Sequence, residues 1–200
     1  LFVVSAPSGA GKTTLCREVL RTVPNLRFSV SYTTRRARLG EVHGKDYFFV
    51  SEPRFRAMIR NREFAEWAQV HGHLYGTHRR FIQSRLSKGT DMLLDVDVQG
   101  AAKLRSQFKE GVTIFILPPS LTVLRSRLKG RGMNSPSDMN RRLRNAQREI
   151  RQYRHYRYVI VNKEIEKARE ALRAIILAER HRQDHWDHGN LRKQLLKRRG

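Results

Sequence analysis

The stretch Ala6-Pro7-Ser8-Gly9-Ala10-Gly11-Lys12-Thr13 constrains this chain more than any other, because two glycines, a lysine and a hydroxyl stand at the spacing needed to wrap a polyphosphate. Glycine admits left-handed dihedrals and close backbone approach. Successive N–H groups can therefore converge on phosphate oxygens, aided by the positive end of the following helix. Lys12 would reach the β- and γ-phosphates and Thr13 would hold Mg²⁺, with Ala6 to Thr14 together forming the candidate phosphate site. Such a loop requires a strand before it and a helix behind it. Leu1 to Val4 is apolar enough for a buried strand, and residues 13–23 carry Leu15, Val19 and Leu20 at helical spacing. Ala6 stands where the usual pattern begins with glycine; it is the smallest replacement and fits an ordinary negative φ.

A βα rhythm follows from this start. Residues 28–34 alternate apolar and hydroxyl side chains as one half-exposed strand and run into the basic loop Arg35-Arg36-Ala37-Arg38-Leu39-Gly40-Glu41. Strands are expected at 46–50 and 64–70, with a helix at 53–60 between them. The α/β alternation resumes with a helix at 78–86, a strand at 92–96, a helix at 99–108, a strand at 112–117, a helix at 121–128 and a last strand at 158–161. A final helix carries Ile165, Ala168, Leu172 and Ile176. Strands this apolar, separated by helices, predict an α/β fold: a parallel sheet covered by helices on both faces. Residues 1–31 and 81–180 form the core domain, residues 32–80 a small inserted mixed α/β subdomain, and residues 181–200 a basic tail. Gly130-Arg131-Gly132-Met133-Asn134-Ser135-Pro136 reads as a mobile lid spanning about residues 130–140. Beyond it Met139, Leu143, Ala146, Ile150 and Tyr153 form one packing stripe, while Arg141, Arg144, Arg148 and Arg151 face elsewhere. Those arginines are read as a solvated face, with nucleic-acid contact the lesser alternative.

Charge adds one constraint. Lys and Arg number 41 against 18 Asp and Glu, giving +23 over 200 residues, which attracts nucleotides, phosphate polymers and anionic surfaces alike. No apolar run reaches the roughly 18 residues of a membrane span, the first strand lacks the basic region and cleavage site of a signal peptide, and the single Cys16 suits a reducing compartment. A cytoplasmic protein without a membrane partner is expected, missing a few native residues before Leu1. His181, His185 and His188 share helical spacing, but the sequence specifies no carboxylate partner for them, so the spacing is read as adventitious and no metal site is assigned.

Motif order then resembles the guanylate kinase family of nucleoside monophosphate kinases, from Leu1 to about Arg180. The blocks are Ser29-Val30-Ser31-Tyr32-Thr33-Thr34-Arg35, Arg38, Gly40-Glu41, His43-Gly44 and Asp46-Tyr47. They continue as Glu63-Phe64-Ala65-Glu66-Trp67, Tyr75-Gly76-Thr77, Leu94-Asp95-Val96-Asp97-Val98-Gln99-Gly100, Pro118-Pro119-Ser120, Gly130-Arg131-Gly132 and Val159-Ile160-Val161-Asn162. The resemblance implies a kinase of purine nucleotide metabolism that passes the γ-phosphoryl group of MgATP to GMP or dGMP. It makes the inserted subdomain a GMP site in which Ser31 meets the guanine O6 and Glu66 accepts from N1–H and N2–H₂. Arg35, Arg38, Tyr47 and Tyr75 would hold the GMP phosphate, with Glu41, Gly76, Thr77 and Asp95 completing the site. Asp95 and Asp97 would stand near the acceptor phosphate and the Mg²⁺ waters, Arg127, Arg131 and Arg142 around the ATP phosphates, and Asn162 beside the adenine. In-line transfer of this kind needs positioning and charge neutralisation more than covalent participation.

The sequence departs from the family pattern at Lys163-Glu164, where two aspartates are common, at His73-Leu74-Tyr75, and at Met133 and Asn134 of the lid. Three other readings remain: a guanylate-kinase-like module that binds protein ligands without catalysis, a phosphate-loop kinase for another small phosphate ester, and a nucleic-acid binder. The retained Gly9, Gly11, Lys12, Thr13 and Asp95 favour the enzyme. Monomer and homodimer stay open.

Overall fold

A computed structural model of the chain describes residues 1–70, 72–129 and 136–183, with the backbone alone for 136–138. The first half runs β1 (Phe2–Ser5), α1 (Lys12–Thr22), β2 (Leu26–Phe28), β3 (Tyr32–Thr33), β4 (Phe48–Phe49), α2 (Glu52–Arg60), β5 (Phe64–Val70), β6 (His73–His78) and α3 (Arg79–Leu86). The second runs β7 (Asp91–Asp95), α4 (Val98–Gln107), β8 (Val112–Leu117), α5 (Leu121–Lys129), α6 (Pro136–Ile150), a 3₁₀ turn (Arg151–His155), β9 (Tyr158–Val161) and α7 (Ile165–Arg180).

Five strands form a parallel sheet in the order β2-β7-β1-β8-β9. Phe2, Val3 and Val4 of β1 align with Leu93, Leu94 and Asp95 on one side and with Val112, Thr113 and Ile114 on the other. Leu15, Cys16 and Val19 of α1 and Ala168, Leu172 and Ile176 of α7 pack one face, against Val4, Leu93, Ile114 and Ile160. Ile82 of α3 and Ala101 and Leu104 of α4 pack the other, against Val3, Met92 and Leu94. Burial on both faces is why the inner strands β7, β1 and β8 are largely apolar rather than alternating, whereas the edge strand β9 buries Ile160 and leaves Val159 and Val161 exposed. Among the described residues no helix is long and apolar enough to cross a membrane.

The second sheet is mixed, ordered β4-β3-β6-β5, with β3 parallel to β4 and antiparallel pairs β3–β6 and β5–β6. It has its own small core of Phe55 and Met58 from α2 with Phe64 and Leu74, in which the Phe55 and Phe64 rings stack 4.5 Å apart.

Four expectations change. The single strand at 28–34 is two strands in different sheets, because the chain leaves the main sheet after Phe28, where the Ser29 N–H still reaches the Leu93 carbonyl at 3.0 Å. The strand at 46–50 shrinks to β4, since the Asp46 side chain instead accepts from the Val42 N–H at 2.9 Å and closes a turn. β6 was not expected as a strand at all. Tyr153 leaves the α6 stripe: Met139, Leu143, Ala146 and Ile150 pack with Leu124 and Leu128 of α5, but the chain then tightens to three residues per turn and Tyr153 is 37% exposed. Of the segment expected as a lid, residues 136–140 begin α6 and residues 130–135 lie outside the described residues, as do residues 184–200 of the tail, including His185 and His188.

Candidate active site

The phosphate loop has the backbone its glycines require. Gly9 and Gly11 adopt φ of +90° and +91°, and Gly11 stands at the head of α1. The loop is held from behind. The Asn162 side chain, 3% exposed at the end of β9, donates Nδ2–H to the Ala10 carbonyl at 2.8 Å and sits 2.5 Å from where a Cβ on Gly11 would stand. The Arg127 guanidinium donates to the Ala10 carbonyl at 3.4 Å and to the Asn162 carbonyl at 3.3 Å. Both residues were expected to face nucleotide; here they are seated on the loop backbone itself.

Lys12, from the first turn of α1, pairs with Asp95 at the carboxyl end of β7 and donates to the Val96 carbonyl at 2.6 Å. Burial alone would lower the lysine pKa, but the Asp95 charge and hydrogen bond outweigh it and the net shift is upward, so the ammonium is retained. Thr13 donates its hydroxyl to the other Asp95 oxygen at 3.0 Å. Thr14 is exposed beside it. Asp97, two residues on, caps α4 with Oδ1, which accepts from the Gly100 N–H at 2.8 Å. These side chains gather beyond the carboxyl ends of β1 and β7, where ligands of such sheets lie.

A second buried carboxylate faces this cluster. Glu66, on β5 and 6% exposed, accepts from the Thr77 hydroxyl of β6 at 2.5 Å. Its other oxygen is 2.6 Å from where a Cβ on Gly100 would stand. Burial, with a contribution from the Asp97 charge, pushes the carboxyl up to about 7 against the Thr77 bond. The neighbouring backbone of β5 is docked on α4: Lys103 donates to the Trp67 carbonyl and Gln107 to the Ala65 carbonyl at 2.7 Å.

The basic loop supplies the third component. Arg35 donates to Glu41 at 2.8 Å and to the Arg36 carbonyl at 2.7 Å, and lies over the Tyr47 and Phe49 rings at 5.4 and 5.7 Å. Glu41 also takes the Arg38 N–H at 2.8 Å, which braces the loop from inside, while the Arg38 side chain is exposed. The Tyr47 and Tyr75 rings meet edge to face at 6.0 Å. Burial, reinforced by the nearby Asp95 charge, pushes the Tyr47 phenol up to about 12, so the hydroxyl is a donor at neutral pH. Ser31 is half-buried and accepts at its carbonyl from the Phe48 N–H at 2.9 Å. Gly76 has a packing reason of its own: a Cβ there would come within 2.9 Å of Phe64 and 3.0 Å of Phe55. Arg17 of α1 ties this loop to the core by donating to Asp46 at 2.5 Å.

Lys12, Thr13, Asp95, Asp97, Glu66, Thr77, Tyr47, Tyr75 and Arg35 are thus brought around one cleft. Arg142 is half-buried on α6, and Arg131 lies outside the described residues. Sequence reasoning missed two participants. Gly100 was read only as part of a block, although a glycine in the first turn of a helix signals a close approach. Glu149 of α6 was not singled out: burial raises its pKa, while the Ser8 amide of the phosphate loop pulls it down. Its i−7 relation to Arg142 places both on the α6 face toward that loop.

A family model described as guanylate kinase matches residues 1–179. A guanylate kinase of Geobacter metallireducens is 52% identical over 91% of this chain and 90% of its own length, and one of Geobacter sulfurreducens is 54% identical over the same shares. A crystal structure of guanylate kinase from Anaplasma phagocytophilum superposes with a TM-score of 0.82 at 35% identity, covering 98% of this chain and 94% of that one. With its phosphate loop, its second buried carboxylate and these relatives taken together, the chain belongs to the guanylate kinase family.

Proposed function

We infer that this chain is an ATP:GMP phosphotransferase of nucleotide metabolism, moving the γ-phosphoryl group of ATP to GMP and dGMP. The observation that carries the substrate choice is Glu66. Thr77 fixes this buried carboxylate, and an ionised carboxylate, an acceptor at both oxygens, suits a base presenting two adjacent N–H donors, as guanine does. Adenine, with an unprotonated N1 and no 2-amino group, would set lone pair against lone pair, and a site that leaves polar groups unpaired rejects an analogue by roughly 10⁴ or more.

The remaining roles follow the chemistry of each group. Ser31 would meet the guanine O6; Arg35, Arg38, Tyr47 and Tyr75 would hold the GMP phosphate by charge and hydroxyl donors, with Glu41 keeping Arg35 in place. The amides of Gly9 to Thr14 would cradle the ATP phosphates, and Lys12 would turn from Asp95 to bridge the β- and γ-phosphates, with Arg127, Arg131 and Arg142 neutralising charge at the lid side. Thr13 offers a hydroxyl, 3.0 Å from an Asp95 oxygen, as a hard ligand suited to Mg²⁺ that takes its other ligands from phosphate and water. When bound there, the ion would neutralise charge building on the transferred group. Asp95, released by Lys12, and Asp97 would order its waters.

The test is ADP formation from MgATP with GMP, dGMP, AMP, CMP and UMP in parallel. Turnover confined to GMP and dGMP is expected. Equal turnover of AMP would remove the assignment.

A further inference from the structure

We propose that the outward face of α6 and the 3₁₀ turn after it is a sequence-independent binding surface for the phosphodiester backbone of nucleic acid. Between Met139 and Tyr158 the chain has seven arginines and one acid, Glu149. The three faces of α6 are used differently. Met139, Leu143, Ala146 and Ile150 pack on α5. Arg142 and Glu149 turn toward the phosphate loop. Arg144 and Arg148 point the third way, and Arg151 and Arg154 continue the line into the turn; all four are exposed, and no described carboxylate pairs with any of them. Arg105 of α4 lies alongside, donating to the His155 carbonyl at 3.0 Å.

Geometry selects the partner. From Arg144 to Arg151 the rise is about 10 Å and the tighter turn to Arg154 adds about 6 Å. Along one strand of a duplex the phosphates advance about 3.4 Å each, so about 16 Å of arginine track spans four or five of them. A bilayer is the poorer match, because interfacial helices offer lipid an apolar face and that of α6 is already consumed by α5. The track lies roughly 130° around the helix from the Arg142 and Glu149 side, so it is separate from the nucleotide cleft.

The test is fluorescence anisotropy of a labelled duplex of about 16 base pairs with the full chain across a salt series. GMP and a non-hydrolysable ATP analogue are held at saturation to occupy the cleft. Three variants are compared with the parent: R144Q/R148Q/R151Q, R144K/R148K/R151K, and R54Q/R60Q/K88Q, which removes the same charge from exposed positions elsewhere. The track glutamine variant should lower the slope of log K against log salt by about 3 and weaken binding at least about tenfold at low salt. The lysine variant should bind as the parent does, and all three should retain near-parental turnover of GMP. Equal losses in the two glutamine variants would reduce the effect to bulk charge and overturn the proposal. So would displacement of the duplex by the nucleotides, or track-dependent binding to vesicles of phosphatidylglycerol without binding to duplex.

Discussion

Replacing Glu66 with Gln should make the protein more stable and a worse enzyme, and the two effects can be separated by pH. Burial raises the Glu66 carboxyl from an ordinary 4.5 to about 7. The folded state therefore binds a proton more tightly than the unfolded chain, so stability is lost as pH rises from about 4.5 through about 7 and the penalty is constant above that. At 1.36 kcal/mol per unit, 2.5 units correspond to about 3 kcal/mol above neutrality, and to about 1.4 kcal/mol near pH 5.5. Glutamine never ionises, can still accept the Thr77 hydroxyl, and can offer its amide to Asp97, whose Oδ1 approaches the same point above Gly100 as Glu66 does. The gain over the parent should thus be about 2 kcal/mol larger near pH 8.5 than near pH 5.5, read by urea unfolding at both values.

Turnover should move the other way. Glutamine turns one acceptor into a donor, so one guanine N–H loses its partner, costing about 1 to 3 kcal/mol or roughly tenfold to a few hundredfold in kcat/KM for GMP. ATP binding measured without GMP should barely change. In the parent, kcat/KM for GMP should fall below about pH 7 as Glu66 takes a proton, and that limb should vanish in Glu66→Gln. A stability difference that is flat with pH, together with an unchanged preference for GMP over AMP, would refute both the buried charge and its use in reading the base.

Lys12→Ala should lower kcat by at least about 10²-fold with little change in the KM for GMP, since it removes a charge aimed at the transferring phosphates; near-parental turnover in folded protein would contradict this. Gly100→Ala places a methyl 2.6 Å from the Glu66 carboxylate, so the KM for GMP should rise by roughly tenfold while ATP affinity, by calorimetry, stays within about twofold. Asn162→Ala removes the shorter of the two hydrogen bonds to the Ala10 carbonyl, leaving only the 3.4 Å bond from Arg127, and should cost about 1 kcal/mol in unfolding experiments and weaken ATP binding in parallel.

Four of the five strands of the main sheet, all but β2, were legible because their physics is local. Leu1 to Val4, residues 112–117 and residues 158–161 are short apolar runs, and such runs between helical stretches leave few options other than strands of a parallel sheet. β6 was not legible for the opposite reason. His73-Leu74-Tyr75-Gly76-Thr77-His78 has neither alternation nor β-branched density, and becomes a strand only because β3 and β5 pair on either side of it. The split of residues 28–34 was hidden because alternation continues across the point where the chain changes sheets. At the cleft, residue types were readable and partners were not. Asn162 and Asp97 carry polar groups that look aimed at substrate, yet one is buried against Ala10 and the other caps α4.

What joins the two sheets into one catalytic unit is the short run from Asp95 to Gly100. Asp95 holds Lys12 and Thr13, and the Val96 carbonyl takes a second bond from Lys12. Asp97 starts α4 by capping it, and Gly100, one turn in, is bare so that Glu66 can approach. Lys12 and Glu66 are therefore referenced to the same six residues, and packing of β5 on α4 through Lys103 and Gln107 fixes the second to the first. A shift of α4 along its axis would move Glu66 relative to Lys12 by the same amount, and misplacement of about 1 Å is enough to cost roughly 10²-fold in rate. The stability given up by keeping Glu66 buried and ionisable then fits its proposed role in reading the base: its position is set by α4, the helix that leads away from Asp95, the partner of Lys12.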